Sequence, residues 1–145
     1  MNTREIISSI QEKFGTDVLN VSVKNDRRVT IAIHPAKLTE MAEYLHRTLG
    51  LRFIIASALH SRSGFEIYYH FSHDVIGLIL NLHVILPQEN PEIESLSNMF
   101  DASNWIEREM HELFGIQFKN HPNLEKLVSE GNWAEGVYPY RKKFE

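Results

Sequence analysis

Cysteine is missing from all 145 residues. That removes disulfides, thiolate nucleophiles and any cysteine-held zinc or iron–sulfur cluster. Long apolar runs are also missing. A bilayer span needs ~20 apolar residues, and the longest candidate, Val75–Leu86, is broken by Asn81 and His83. Met1–Glu5 shows neither the basic start nor the apolar stretch of a secretory leader. The expectation is a protein on the cytoplasmic side that reaches a membrane only through partners. Basic excess is lacking too: 15 Lys and Arg against 19 Asp and Glu give a net charge of -4, which argues against nucleic acid as a partner. No Gly-x-Gly-x-x-Gly or Gly-x-x-x-x-Gly-Lys phosphate cradle occurs, and no Gly-x-Ser-x-Gly elbow. Repeats and low-complexity segments are absent. What remains is the balance of one globular domain, 43% hydrophobic and 23% charged.

The patterning predicts an α+β chain. Thr3 can cap a first helix with Ile6, Ile7, Ile10 and Phe14 on one face, stopped by Gly15. Leu19, Val21 and Val23 alternate with polar residues, as do Val29, Ile31 and Ile33, and Lys24–Arg27 between them makes a hairpin. Pro35 opens a helix with Leu38, Met41, Ala42, Leu45 and Leu49 inward. The strand at Phe53–Leu59 is apolar on both faces and is expected to be central. Phe65–Phe71 alternates cleanly, and Val75–Leu86 is a strand stopped by Pro87. Hairpins outnumber strand–helix–strand crossovers, so the expected fold is a two-layer sandwich, a mostly antiparallel sheet packed by helices. Residues 1–118 form that domain, and 119–145 are an irregular tail, a length that is usually functional or ordered by a partner.

The stretch Trp105–Phe118 opens as a short helix. Asn104 is suited to its N-cap, Glu107 stands at the capping-box position, and Gly115 is a left-handed stop. Ile106, Met110, Leu113 and Phe114 fall on one arc. Glu109 falls beside it, where a carboxylate needs a partner.

Trp-x-Glu-Arg-Glu-x-x-x-Leu-Phe-Gly-Ile-x-Phe-x-x-His-Pro-x-Leu, from Trp105 through His121 and Pro122 to Leu124, resembles the signature of the C subunit of NADH–quinone oxidoreductase (complex I). The same module occurs in membrane-bound, energy-converting nickel–iron hydrogenases. Glu135-Gly136-Val137-Tyr138-Pro139-Tyr140-Arg141-Lys142-Lys143-Phe144 resembles the family's closing motif, and its Val-Tyr-Pro form is nearer the hydrogenase branch. Two residues depart from that motif: Tyr140 stands where leucine is typical and Lys143 where an acid is typical, both in a contact region. The resemblance implies an accessory subunit without cofactors, docked on a large catalytic subunit and a small iron–sulfur subunit in a peripheral arm. Nickel–iron, iron–sulfur or FMN groups would belong to those partners. It assigns structural or interfacial roles to Trp105, Glu107, Arg108, Glu109, Phe114, Gly115, His121, Pro122, Trp133, Glu135, Gly136, Tyr138, Pro139, Arg141 and Lys142. Because the sequence ends one residue after the motif, a subunit not fused to its catalytic neighbour is expected.

A different class of function rests on eight histidines. Glu107, His111 and His121 could converge on a metal and make a small free-standing metal protein or enzyme. Against this, no His-Glu-x-x-His occurs, and a site needs three or four converging ligands. His121 before Pro122 equally suits bonding to backbone carbonyls. Glu107 and Glu109, two apart on a helix, face different directions and cannot share a substrate. Arg141-Lys142-Lys143 amid Tyr138, Tyr140 and Phe144 carries too few charges for RNA or an anionic membrane. An aromatic-anchored tail suits it better, either on a partner or folded over its own domain.

Overall fold

The computed structural model describes residues 1–122, 124, 138 and 140–142. Helix α1 spans Thr3–Phe14, followed by strands β1 (Val18–Asn25) and β2 (Arg28–Ile33). A 3-10 turn at Pro35–Lys37 leads into α2 (Leu38–Glu43), which runs on through a π-type turn at Tyr44–Thr48. Strands β3 (Arg52–Ser61), β4 (Gly64–His73) and β5 (Leu78–Leu86) follow, then β6 (Glu92–Glu94), α3 (Asp101–Phe114) and β7 (Gln117–Lys119). The larger sheet has the order β1-β2-β5-β4-β3. β1 and β2 are antiparallel, with Val21 opposite Ile31 and Val23 opposite Val29. β2 and β5 are parallel, with Ile31 opposite Leu82. The fold is α+β: a mixed, mostly antiparallel sheet with three α-helices among the described residues.

The chain divides into two compact units, Met1–Ile55 with Tyr68–Val84, and Ala56–Ile67 with Ile85–Glu145. The first unit buries Ile6 and Ile10 of α1, Leu38, Met41 and Leu45 of the second helical segment, and Val29, Ile31, Leu80 and Leu82 of the sheet. These are the residues that the 3.6 and 2.0 periods select. Asn2, rather than Thr3, caps α1: its side chain accepts from the Glu5 N–H, and the Glu5 carboxylate accepts from the Asn2 N–H. Thr3 instead donates to the carbonyl of Asp26.

The second unit carries the signature residues. Its core is Phe65, Ile67, Leu86, Ile93, Leu96, Met110, Leu113, Phe114, Ile116 and Phe118. β6 and β7 pair in parallel, Ile93 opposite Phe118, and so tie the segment before α3 to the one after it. These short strands have too few residues to show a period, and the patterning does not reveal them. β3 departs from expectation, since it lies at the sheet's edge and not at its centre. Ile55 is 49% and Leu59 41% exposed. Apolarity on both faces does not by itself place a strand inside a sheet.

Candidate functional site

α3 begins at Asp101, four residues before the expected start at Trp105, and this changes what its acids do. Asn104 lies within the first turn and is not the cap. Glu107 is not spent on a capping box. Its side chain turns inward and is wholly buried. Oε1 accepts from Ser95 Oγ at 2.5 Å, and Oε2 accepts from the Leu96 N–H at 2.8 Å and from Ser103 Oγ at 2.8 Å. Ser95 is itself held by Ser97, whose N–H reaches Ser95 Oγ at 3.0 Å. His121 completes the cluster. Its ring, also buried, has Nε2 3.8 Å from Glu107 Oε1, and Nε2 donates to the Asn104 carbonyl at 3.1 Å. Burial raises the Glu107 pKa, while Ser95, Leu96, Ser103 and His121 oppose that rise. Glu107 therefore fastens the segment before α3, and His121 fastens the segment after β7, to the same turn of helix. Asn120, with φ 63, places His121 there and donates to Glu94.

The carboxylate expected beside the buried stripe is Glu109, whereas the one the structure buries is Glu107. Glu109 is half-buried and Ile106 is too, because the helix is rotated from the expected arc. Glu107's partners Ser95, Leu96 and Ser103 carry no motif by which sequence reasoning finds them.

At its other end α3 meets the tail. Gly115 takes the left-handed conformation expected of it, φ 78 and ψ 19, and its N–H reaches the His111 carbonyl at 2.9 Å. The helix's last carbonyls are claimed by tail residues: the Tyr140 N–H donates to Leu113 O at 3.1 Å, and Arg141 Nε donates to Phe114 O at 2.6 Å. A cation at a helix C-terminus also complements the helix dipole. The Arg141 guanidinium lies 4.5 Å from the Tyr138 ring centre and 5.1 Å from that of Phe65. Phe114 packs edge-on against Phe65 and Tyr140. Lys142 donates its backbone N–H to His60 Nδ1 at 2.8 Å, and His60 stacks on Phe65. The described residues of the closing motif, Tyr138 and 140–142, thus make contacts with this chain's own α3, Phe65 and His60. Trp133, Glu135, Gly136 and Pro139 lie outside the described residues. Pro122 is exposed and follows the His121 anchor.

Of the three metal candidates, Glu107 and His121 come together while His111 turns elsewhere. His111 Nδ1 donates to the Ile116 carbonyl at 2.9 Å, whereas the His121 ring serves Asn104. Among the described residues no group of three or more His, Asp or Glu could hold a metal ion. On the outward side of α3, Trp105 is 54% exposed, and Arg108 and Glu109 are half-buried.

Comparison with known proteins places this arrangement. Residues 31–145 match the family model of the respiratory-chain NADH dehydrogenase, 30 Kd subunit. The chain belongs to that family. Over its full length it is 33% identical to the C subunit of F(420)H(2) dehydrogenase of Methanosarcina mazei, covering 93% of that protein. It is 26% identical to the C subunit of NADH-quinone oxidoreductase of Mycolicibacterium gilvum, with 97% of this chain and 66% of that one aligned. Against the C/D subunit of NADH-quinone oxidoreductase of Proteus mirabilis the identity is 28%, and 97% of the chain spans 25% of that longer protein. The membrane-bound sulfane sulfur reductase, an archaeal respiratory membrane complex, contains a chain of the same fold: TM-score 0.82 at 21% identity, over 98% of this chain and 85% of that one. A trypsin-resistant fragment of Nqo5 also shares the fold, with TM-score 0.68 at 20% identity, over 86% of this chain and all of the fragment.

Proposed function

We propose that the chain is a cofactor-free accessory subunit of a membrane-bound respiratory complex of the complex-I or energy-converting hydrogenase type. It docks a large catalytic subunit and a small iron–sulfur subunit in the peripheral arm, on the cytoplasmic side, and holds them in register for electron transfer. The nickel–iron site, iron–sulfur clusters or FMN belong to those partners. The observation that carries this reading is the family match over residues 31–145, joined by an end-to-end relative that is itself the C subunit of a dehydrogenase. A chain without cysteine has no thiolate to hold a cluster, which agrees with a scaffolding role. No helix among the described residues is long and apolar enough to cross a membrane, so membrane attachment is assigned to partners.

The test is isolation of the tagged chain from detergent-solubilised membranes of its own host. Iron–sulfur and catalytic subunits should accompany it in fixed stoichiometry. The chain purified alone should be colourless and carry far less than one metal per protein by elemental analysis. Stoichiometric metal in the isolated chain, lost on His111→Ala, would replace the scaffold with the metal-protein reading.

A further inference from the structure

Of the hydrogen bonds that tie the closing motif to its own unit, one differs in kind. The Tyr140 N–H and the Arg141 Nε both end on carbonyl oxygens, which take up no proton near neutral pH. The Lys142 N–H ends instead on an imidazole nitrogen, Nδ1 of His60, at 2.8 Å. A backbone N–H can only donate, so Nδ1 has to be the bare, accepting nitrogen of that ring. The far side of the ring gives the same answer independently. Gln88 turns its amide nitrogen to the carbonyls of Ser61 and Arg62, at 3.0 and 3.2 Å, and this fixes its amide oxygen towards His60 Nε2. Its partners therefore assign the proton to Nε2. His60 is held as a neutral imidazole, buried at 7% exposure and stacked on Phe65 with ring centres 4.3 Å apart.

We propose that His60 is a proton-sensitive latch for the closing motif: a proton on Nδ1 turns an N–H against the Lys142 N–H and releases Tyr140–Lys142 from the unit. This goes beyond the subunit reading above and does not depend on it. The latched state has no room for that proton, whereas the released ring accepts it. Release therefore takes up a proton, and acid favours it. The charged groups beside these contacts do not reverse the sign. Arg62, Glu66 and Glu89 adjoin the residues that His60 and Gln88 touch, and the tail itself brings Lys142 and Arg141. Bases outnumber acids, and the Arg141 guanidinium lies against the same Phe65 ring as the imidazole. His111 and His121, the other histidines of this unit, each donate to a carbonyl, a bond that protonation leaves in place. Glu107, whose pKa is raised, favours the folded state in acid and so acts in the opposite direction.

The experiment is a titration of the full chain, labelled with nitrogen-15, from about pH 8 to about pH 5, the span over which histidine changes charge. Ring-nitrogen NMR reads the proton on His60, and hydrogen exchange reads the tail, as protection relative to the unstructured rate at each pH. At the alkaline end Nε2 should carry a proton and Nδ1 none, with a coupling from the Lys142 N–H to Nδ1 across the hydrogen bond. On acidification Nδ1 should gain a proton while Lys142 protection falls, by up to about tenfold per pH unit. The amides of α1 should keep theirs. His60→Asn places an oxygen near the position of Nδ1, so Lys142 should stay protected in part and without the pH dependence. His60→Gln keeps only the donor side, and should leave Lys142 unprotected throughout. A proton on Nδ1 at the alkaline end overturns the latch. So does Lys142 protection that stays level across the titration, falls together with that of α1, or declines equally in His60→Asn. The wild-type ring and amide signals decide the matter even if a variant fails to fold.

Discussion

Glu107→Leu should cost the folded chain about 3–5 kcal/mol, and Glu107→Gln only about 1 kcal/mol. Leucine fills the volume but strands the Leu96 N–H, a buried backbone donor, and removes the hydroxyl bonds from Ser95 and Ser103. Glutamine keeps an oxygen for Leu96 and Ser103. Its amide can donate to Ser95 Oγ, provided Ser95 turns its own proton towards Ser97, 2.7 Å away. Denaturant titration of the three proteins measures both costs. The pH dependence gives a second readout. An acid whose pKa is raised on folding binds more protons in the folded state than in the unfolded one. Its stabilising contribution is complete below the ordinary glutamate value of 4.5 and is lost as pH rises through the raised value. The native chain should therefore lose stability relative to Glu107→Gln between acidic and neutral pH. Equal costs for leucine and glutamine, with parallel pH profiles, would mean that Glu107 does not hold the segments around α3 together.

The fate of Glu107 also shows where sequence reasoning reaches and where it stops. Periodicity finds α1, β2, β4 and β5, because each buries a regular set of residues and the period alone identifies the face; in β1 it finds the strand but not a buried face, since Leu19 and Val23 are 62% and 54% exposed. Proline and glycine place the ends correctly at Pro87 and Gly115, where a local backbone requirement decides. The start of α3 is misplaced for an equally local reason: Asn104 and Glu107 fit a capping box, and nothing nearby contradicts it. What overrides the box is Ser95 and Leu96, 12 and 11 residues upstream, which meet Glu107 beside the β6–β7 pair. Contacts of that separation leave no periodic trace. The same applies to Arg141, whose carbonyl partner Phe114 is 27 residues away. The closing motif can be matched to a family, but not to the surface that it binds. β3 fails differently, since two apolar faces are equally compatible with an edge and a centre.

The tail anchor makes the second large prediction. Gly115→Val should destabilise the second unit by about 3 kcal/mol and release Tyr138–Lys142 while helix α1 stays protected. Two separate costs combine. A side chain at φ 78 pays the left-handed penalty of about 1–2 kcal/mol. Its Cβ would also stand 2.7 Å from an Arg141 guanidinium nitrogen and 2.8 Å from the Tyr138 ring, so both must move. If they move, Arg141 leaves the Phe114 carbonyl and its place over Phe65, and the amides of Tyr140 and Lys142 lose their acceptors. Hydrogen exchange at those two amides reads the release directly. An Arg141→Ala background separates the costs: with the guanidinium gone, part of the clash goes with it, and the penalty of Gly115→Ala should shrink towards the backbone strain alone. Should the valine protein keep slow exchange at Tyr140 and Lys142, or the alanine cost stay unchanged without Arg141, the tail would be held by something other than the end of α3. If both behave as expected, the left-handed glycine serves two purposes. It stops the helix, and it leaves open the one approach by which the closing motif can bond to the helix's last carbonyls.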